Sequence, residues 1–224
     1  MIKLVAFDWN GTLFADTQAI LKAMNIIAKA YGLRKMSLLQ YQKTFEIPIS
    51  KFWTANGFTK KLFEKEGENV QKIFIESYEP LADKCRTRGG AKQVLGDLKK
   101  RKIKAVIYSN HTRPDIHRQA SRLKIDGHLS RILAREHGDH SHLHGRSKEE
   151  KLVQYIKEHK IKPKEVMTVG DTPEEIEIGK NHGFITVAIT GGYSTVGRIK
   201  KHNPDYLIHN LKELAGIIKK LNKK

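Results

Sequence analysis

Three short apolar runs, each ending in a cluster of polar residues, constrain the fold of this chain more than any other feature. Residues 2–7 lead into Asp8-Trp9-Asn10-Gly11-Thr12, residues 103–108 into Ser109-Asn110, and residues 165–169 into Gly170-Asp171-Thr172. Apolar runs of this length, bounded by polar loops, suit strands buried on both faces of a parallel sheet. A fourth run covers 184–189, and shorter candidates lie at 206–208 and 129–133. Helical patterns at 90–101, 148–160 and 173–182 fall between the strands. This alternation predicts an α/β fold, a Rossmann-like doubly wound parallel sheet with helices on both faces. Ligands on such sheets bind at the carboxyl ends of the strands, where all three polar clusters would meet.

Residues 15–87 interrupt the alternation. Asp16 is placed to cap a helix whose apolar residues Ile20, Leu21, Met24, Ile27, Ala28 and Tyr31 share one face, and Gly32 is placed to end it. Further helices are expected at 37–45 and 59–78, with a turn at 47–53 leading into a shorter one. The expected division is a core of 1–14 and 88–224 with an inserted helical cap of 15–87. The cap leaves the sheet after the first strand and returns before the second, so it should sit over the strand ends as a lid. Phe52 and Trp53 could face the substrate or form the core of the cap itself.

Composition narrows the setting. The 224 residues are 39% hydrophobic, enough for a sizeable core. A single cysteine, Cys85, rules out an internal disulfide and a thiolate metal cluster, and fits a reducing cytoplasm. The short N-terminal apolar run does not fit a signal peptide, and nothing approaches the roughly 20 apolar residues that span a bilayer. A cytoplasmic protein without a membrane partner is expected, as a monomer or homodimer. The net charge of +18 could serve a polyanionic partner such as nucleic acid, a lysine-rich surface, or attraction of small phosphorylated substrates. No basic stripe interleaved with aromatics is present, which favours the small phosphorylated substrate.

The polar clusters resemble the four motifs of the haloacid dehalogenase superfamily, in order and over nearly the whole chain. Asp8-Trp9-Asn10-Gly11-Thr12-Leu13 resembles the first, Ser109 after a strand the second, Lys148 the third, and Gly170-Asp171-Thr172-Pro173-Glu174-Glu175 the fourth. The insertion after the first motif is similar to the cap of the phosphoglycolate phosphatase-like branch. The resemblance implies a Mg²⁺-dependent phosphatase in which Asp8 attacks phosphorus and forms an aspartyl-phosphate. Ser109 and Asn110 would bind the phosphoryl oxygens, and Lys148 would supply a compact positive charge. Gly11 lets the backbone approach an anion, and Thr12 is expected to steady that loop through a local hydrogen bond. The implied metal ligands are the Asp8 carboxylate, the backbone carbonyl of Asn10, Asp171 and, in or near the shell, Glu175. Glu175 also completes a capping box with Thr172, with Pro173 at the first helical position.

One position departs from the pattern. The second Asp that serves most phosphatases of this superfamily as acid and base is Asn10 here, and an amide cannot exchange a proton at neutral pH. Three courses remain open: a leaving group that needs little protonation, such as an acyl or aryl phosphate; a substitute acid; or a dehalogenase-like or phosphonatase-like reaction. For the last, Lys51, Lys60 and Lys61 are candidates by location alone. A substitute acid could come from the stretch 137–145, with His144 or His142 favoured. Gly191-Gly192-Tyr193 predicts a loop near the site that Tyr193 could line.

Overall fold

The computed structural model describes residues 1–139 and 147–223. Six strands form one parallel sheet in the order β3-β2-β1-β4-β5-β6. They are β1 (Leu4–Phe7), β2 (Lys104–Thr112), β3 (Arg131–Arg135), β4 (Val166–Gly170), β5 (Ile185–Ile189) and β6 (Tyr206–Ile208). β1 lies between β2 and β4, and its four residues are buried. Phe7 pairs with Ile107 on one side and Val169 on the other. Asp8 and Asp171 therefore leave the sheet at the same edge; Ser109 lies two residues past the last β1-paired position of β2, which runs on to Thr112 along β3 instead of ending at residue 108 as expected.

Helices cover both faces. In chain order they are α1 (Thr17–Ala30), α2 (Leu38–Thr44), α3 (Ile49–Ala55), α4 (Lys60–Ala82), α5 (Ala91–Lys100), α6 (Arg113–Arg122), α7 (Ser147–Glu158), α8 (Pro173–Asn181), α9 (Val196–Lys201) and α10 (Leu214–Asn222). The third strand begins two residues later than expected. α6 was not anticipated because its sequence is so polar that only Ile116, Gln119 and Ala120 are buried. Among the described residues, no helix is long and apolar enough to cross a membrane.

α1–α4 fill the interval between β1 and β2. α1 packs along α4, burying Ala19, Ile20, Ala23, Met24, Ile27 and Ala28, each large apolar side chain contributing about 1.5–3 kcal/mol when fully buried. The start of α1 differs from expectation. Asp16 occupies the cap position, but its side chain makes no capping hydrogen bond. It turns instead toward the strand ends. Phe52 and Trp53 are fully buried and stack edge-on with each other, as a core of this helical layer.

Candidate active site

The loop after β1 is a tight, cross-braced turn. The Asp8 N–H donates to Val169 O at 2.9 Å, tying it to β4. The N–H groups of Thr12, Leu13 and Phe14 all donate to Trp9 O. Gly11 has φ 73°, and a Cβ there would collide with the Asp171 carboxylate, so this position requires glycine on both grounds. Arg88 closes the loop from outside: Nη1 donates to Gly11 O at 2.5 Å and Nη2 to Thr190 O at 2.7 Å. Trp9 stacks on Phe14 and donates from Nε1 to Gln119 Oε1 at 2.8 Å.

Lys148 reaches this turn from the first residues of α7, which packs on β2 and β3. Its ammonium lies 3.5 Å from Asp8 Oδ1 and 2.9 Å from Glu174 Oε2, bonds Glu175 Oε1, and sits 5.2 Å from the centre of the Tyr108 ring. The side chain is 2% exposed, so it is not a surface lysine. Burial opposes its charge, but Glu174, Glu175 and Asp8 outweigh burial and hold its pKa well above the ordinary value. Asp8 moves the same way for the opposite reason. Burial lifts its pKa, Lys148 pulls it down, and Glu175, Asp171 and Glu174 raise it further.

Asp171 is completely buried and pinned by the Thr12 hydroxyl at 2.7 Å and the Tyr193 N–H. Burial and the charge of Glu175 push its pKa up to about 7. The Thr12 hydroxyl thus does not make the local bond expected of it; it braces a carboxylate 159 residues away. Glu175 completes the capping box of α8, accepting from the Thr172 N–H at 3.0 Å and its hydroxyl at 2.6 Å, while its other oxygen holds Lys148. Asp8, Glu174 and Glu175 crowd around Lys148, while Asp171 acts on Asp8 and is itself acted on by Glu175 and Arg88. Four buried carboxylates against two cations make a site whose charge fits a divalent ion held by oxygen donors. Asp8 and Asp171, with the Asn10 carbonyl, could hold it; Glu175, also expected in or near the shell, has its two oxygens engaged by Thr172 and Lys148.

The Asn10 side chain has a different occupation. Its amide donates to Asp16 Oδ2 at 2.8 Å and to the Tyr78 hydroxyl at 2.7 Å. Asp16 is the hub: it also accepts from Gly11 N–H at 2.8 Å, Tyr78 OH at 2.6 Å and Tyr193 OH at 2.5 Å. This network joins the β1 loop, α4 and the loop after β5. An Asp at position 10 would meet the Asp16 carboxylate, so the amide suits its setting.

Ser109 is buried and accepts from His111 N–H at 3.2 Å. Asn110 donates from Nδ2 to Glu174 Oε2 at 3.0 Å. A cavity opens here between α1–α4 and the strand ends; Asn10, Asn110, His111, Arg135 and Tyr193 line it with apolar side chains. Of the histidine stretch, His137 pairs with Asp115 at 3.2 Å, while His140, His142 and His144 lie outside the described residues. Lys51 and Lys60 form exposed ion pairs with Glu46 and Glu64, and Lys61 is exposed, which is surface chemistry. Sequence reasoning assigned no site role to Glu174, Asp16, Arg88, Tyr78 or Arg135, although Glu174 lies in the fourth motif and Asp16 was expected as a helix cap.

The chain is similar to known proteins over most of its length. A family model for haloacid dehalogenase-like hydrolases matches residues 2–183. The chain is 22% identical over 224 residues to a pyrophosphatase, PpaX, of Bacillus mycoides, covering 99% of each. It is 23% identical to a phosphoglycolate phosphatase of Vibrio vulnificus, covering 97% of this chain and 96% of that one. A haloacid dehalogenase-like family hydrolase from Streptococcus pneumoniae superposes with a TM-score of 0.81 at 18% identity, over 97% of this chain and 98% of the other.

Proposed function

This chain belongs to the haloacid dehalogenase-like hydrolase family, and from that premise we propose that it is a Mg²⁺-dependent phosphatase acting on a small phosphorylated metabolite through an aspartyl-phosphate. The observation that carries the proposal is the buried group of Asp8, Lys148 and Asp171 at one sheet edge. A binding module has no use for a buried nucleophile beside a buried ammonium. Relatives named as a pyrophosphatase and a phosphoglycolate phosphatase support phosphoryl chemistry. The helices α1–α4 act as the cap over the site.

In the first step an Asp8 carboxylate oxygen attacks phosphorus in line. The new O–P bond forms as the ester P–O bond breaks, and the leaving group departs with the electron pair. Lys148 offsets charge on the nucleophile and the phosphoryl oxygens, while Ser109 and Asn110 orient those oxygens. Glu174 and Glu175 act as positioning residues by holding Lys148. Asp8, Asp171 and the Asn10 carbonyl would hold Mg²⁺, which when bound neutralises charge on the phosphoryl group. Water then attacks phosphorus and breaks the Asp8–phosphate bond, releasing phosphate and freeing Asp8. The single cysteine fits a cytoplasmic setting.

The crowded carboxylates speak against a halide reaction, which in this superfamily needs no metal. The exposed Lys51, Lys60 and Lys61 give no support to a phosphonatase-like Schiff base. The test is phosphate release from p-nitrophenyl phosphate and acetyl phosphate, with and without Mg²⁺, for wild type beside Asp8→Asn. Turnover requiring both Mg²⁺ and Asp8 is expected. Turnover surviving in Asp8→Asn, or indifferent to Mg²⁺, would refute the reading.

A further inference from the structure

The cavity between the cap helices and the strand ends measures about 100 Å³, and its wall is mostly apolar, with Ile20, Met24, Ile27, Trp53, Val70 and Phe74 prominent. Asn10 lines it, so a leaving group seated there lies beside an amide that cannot protonate it. Hydroxyl-rich alcohols would lose hydrogen bonds to water against such a wall. An aromatic body would fill it with favourable contacts. A phenol, with a pKa of about 10, also leaves as an anion far more readily than an alkyl alcohol.

One charge interrupts the apolar wall. Arg135, at the end of β3, is 4% exposed. Nε donates to Asn110 O at 2.6 Å and Nη1 to Asp139 O at 2.5 Å. Both acceptors are neutral carbonyls; the carboxylates of Asp139 and Asp115 act on it from further away, and among the described residues neither forms an ion pair with it. Arg113 and Arg118, by contrast, each pair with carboxylates. Burial lowers the Arg135 pKa to about 10, which leaves it charged at neutral pH. A buried cation whose hydrogen bonds go to neutral carbonyls gains from a carboxylate that a ligand brings into direct contact. The cavity offers this single guanidinium, which suits one carboxylate better than a doubly charged second phosphate.

We infer that the substrate is the phosphate ester of an apolar, phenol-like alcohol bearing one carboxylate, and that Arg135 is the specificity-determining residue that receives that carboxylate. The inference rests on the phosphatase reading above. Asp8 forms its bond to phosphorus, the P–O(aryl) bond breaks, and the phenoxide departs with the electron pair and takes its proton from water.

The experiment compares 4-carboxyphenyl phosphate, phenyl phosphate and glycerol 3-phosphate with Mg²⁺, in wild type, Arg135→Gln and Arg135→Lys. Because the carboxylate also alters the leaving group, its contribution is read in KM, and in Kd by calorimetry on Asp8→Asn. Wild type should favour the carboxylated ester over phenyl phosphate by about tenfold or more in KM and Kd. Both aryl esters should exceed glycerol 3-phosphate by about a hundredfold or more in kcat. Arg135→Gln should bring the first ratio to near one, and Arg135→Lys should retain part of it. A wild-type ratio near one, a ratio that Arg135→Gln leaves intact, or equal turnover of glycerol 3-phosphate would overturn the inference. If Arg135→Gln does not fold, the wild-type ratios and Arg135→Lys still decide. Absence of all turnover would defeat the phosphatase reading, while the calorimetric preference would still judge Arg135.

Discussion

Replacing Asp16 by Asn removes one charge from a buried hub without changing its size. The Asp16 carboxylate accepts four hydrogen bonds, one on Oδ1 from Gly11 N–H and three on Oδ2 from Asn10, Tyr78 and Tyr193. With the amide oxygen kept toward Gly11, the new NH₂ faces the three other donors. The two tyrosine hydroxyls can rotate to accept from it, but the Asn10 amide cannot. Hydrogen bonds to a charged group contribute about 1.5–3 kcal/mol each, and a buried donor left unpaired costs about 1–3 kcal/mol. One full loss at Asn10 and two weakened bonds at the tyrosines give an expected destabilisation of about 2–4 kcal/mol. For a chain of this size that is a fall of about 4–15 °C in Tm. Urea unfolding at neutral pH, with Tyr193→Phe and the double variant alongside, measures it. The double variant should lose less than the sum of the singles, because both act through one network. A loss below about 1 kcal/mol, or strict additivity, would refute the hub assignment.

Asn10→Asp should place a second carboxylate about 3 Å from Asp16, and such a pair keeps one proton at a raised pKa. Its cost is absent below the unfolded carboxylate value of about 3.9 and grows as pH rises through the raised value, so unfolding curves against pH should diverge from wild type toward alkaline pH. The same variant regains an acid, and turnover of an alkyl phosphate should rise by about tenfold or more in stopped assays. Lys148→Met leaves Asp8, Glu174 and Glu175 buried without their cation; a loss of about 3–5 kcal/mol in urea unfolding is expected, with phosphate release reduced by at least about a hundredfold. Gly192→Ala drives a Cβ into the Asp171 carboxyl group and should weaken Mg²⁺ binding by about tenfold or more by calorimetry. Chelation should stop turnover of wild type, and added Mg²⁺ should restore it.

The strands, their parallel order of use and the meeting of three polar clusters at one edge were legible because they follow from short-range rules. A buried parallel strand is a short apolar run, and its polar end marks the carboxyl edge. Asp8, Ser109, Lys148 and Asp171 followed from the resemblance of those polar clusters to the motifs of the family. Glu175 was legible as a cap because Thr172, Pro173 and Glu175 lie within one turn. Its hold on Lys148 was not, since that bond joins two helices. Asp16 shows the same limit more sharply. Its position before an amphipathic run reads as a helix cap, yet the hydroxyls of Tyr78 and Tyr193 from distant segments, with the Asn10 amide and Gly11 N–H of the β1 loop, take its carboxylate in place of the first N–H groups of α1.

What the sequence by itself determined was the α/β alternation and the helical insertion after β1, because strand and helix periodicity and turn chemistry are local; the groups expected to do phosphoryl chemistry came from the resemblance of the polar clusters to the family's motifs. What only the tertiary structure decided was how those groups are wired: Glu174 on Lys148, Thr12 on Asp171, Tyr78 and Tyr193 on Asp16, and Arg135 against the Asn110 carbonyl in the wall of an apolar cavity. Each of these joins segments far apart in the chain, and the distance between such segments is set by packing of the helices on the sheet rather than by any residue's own preference.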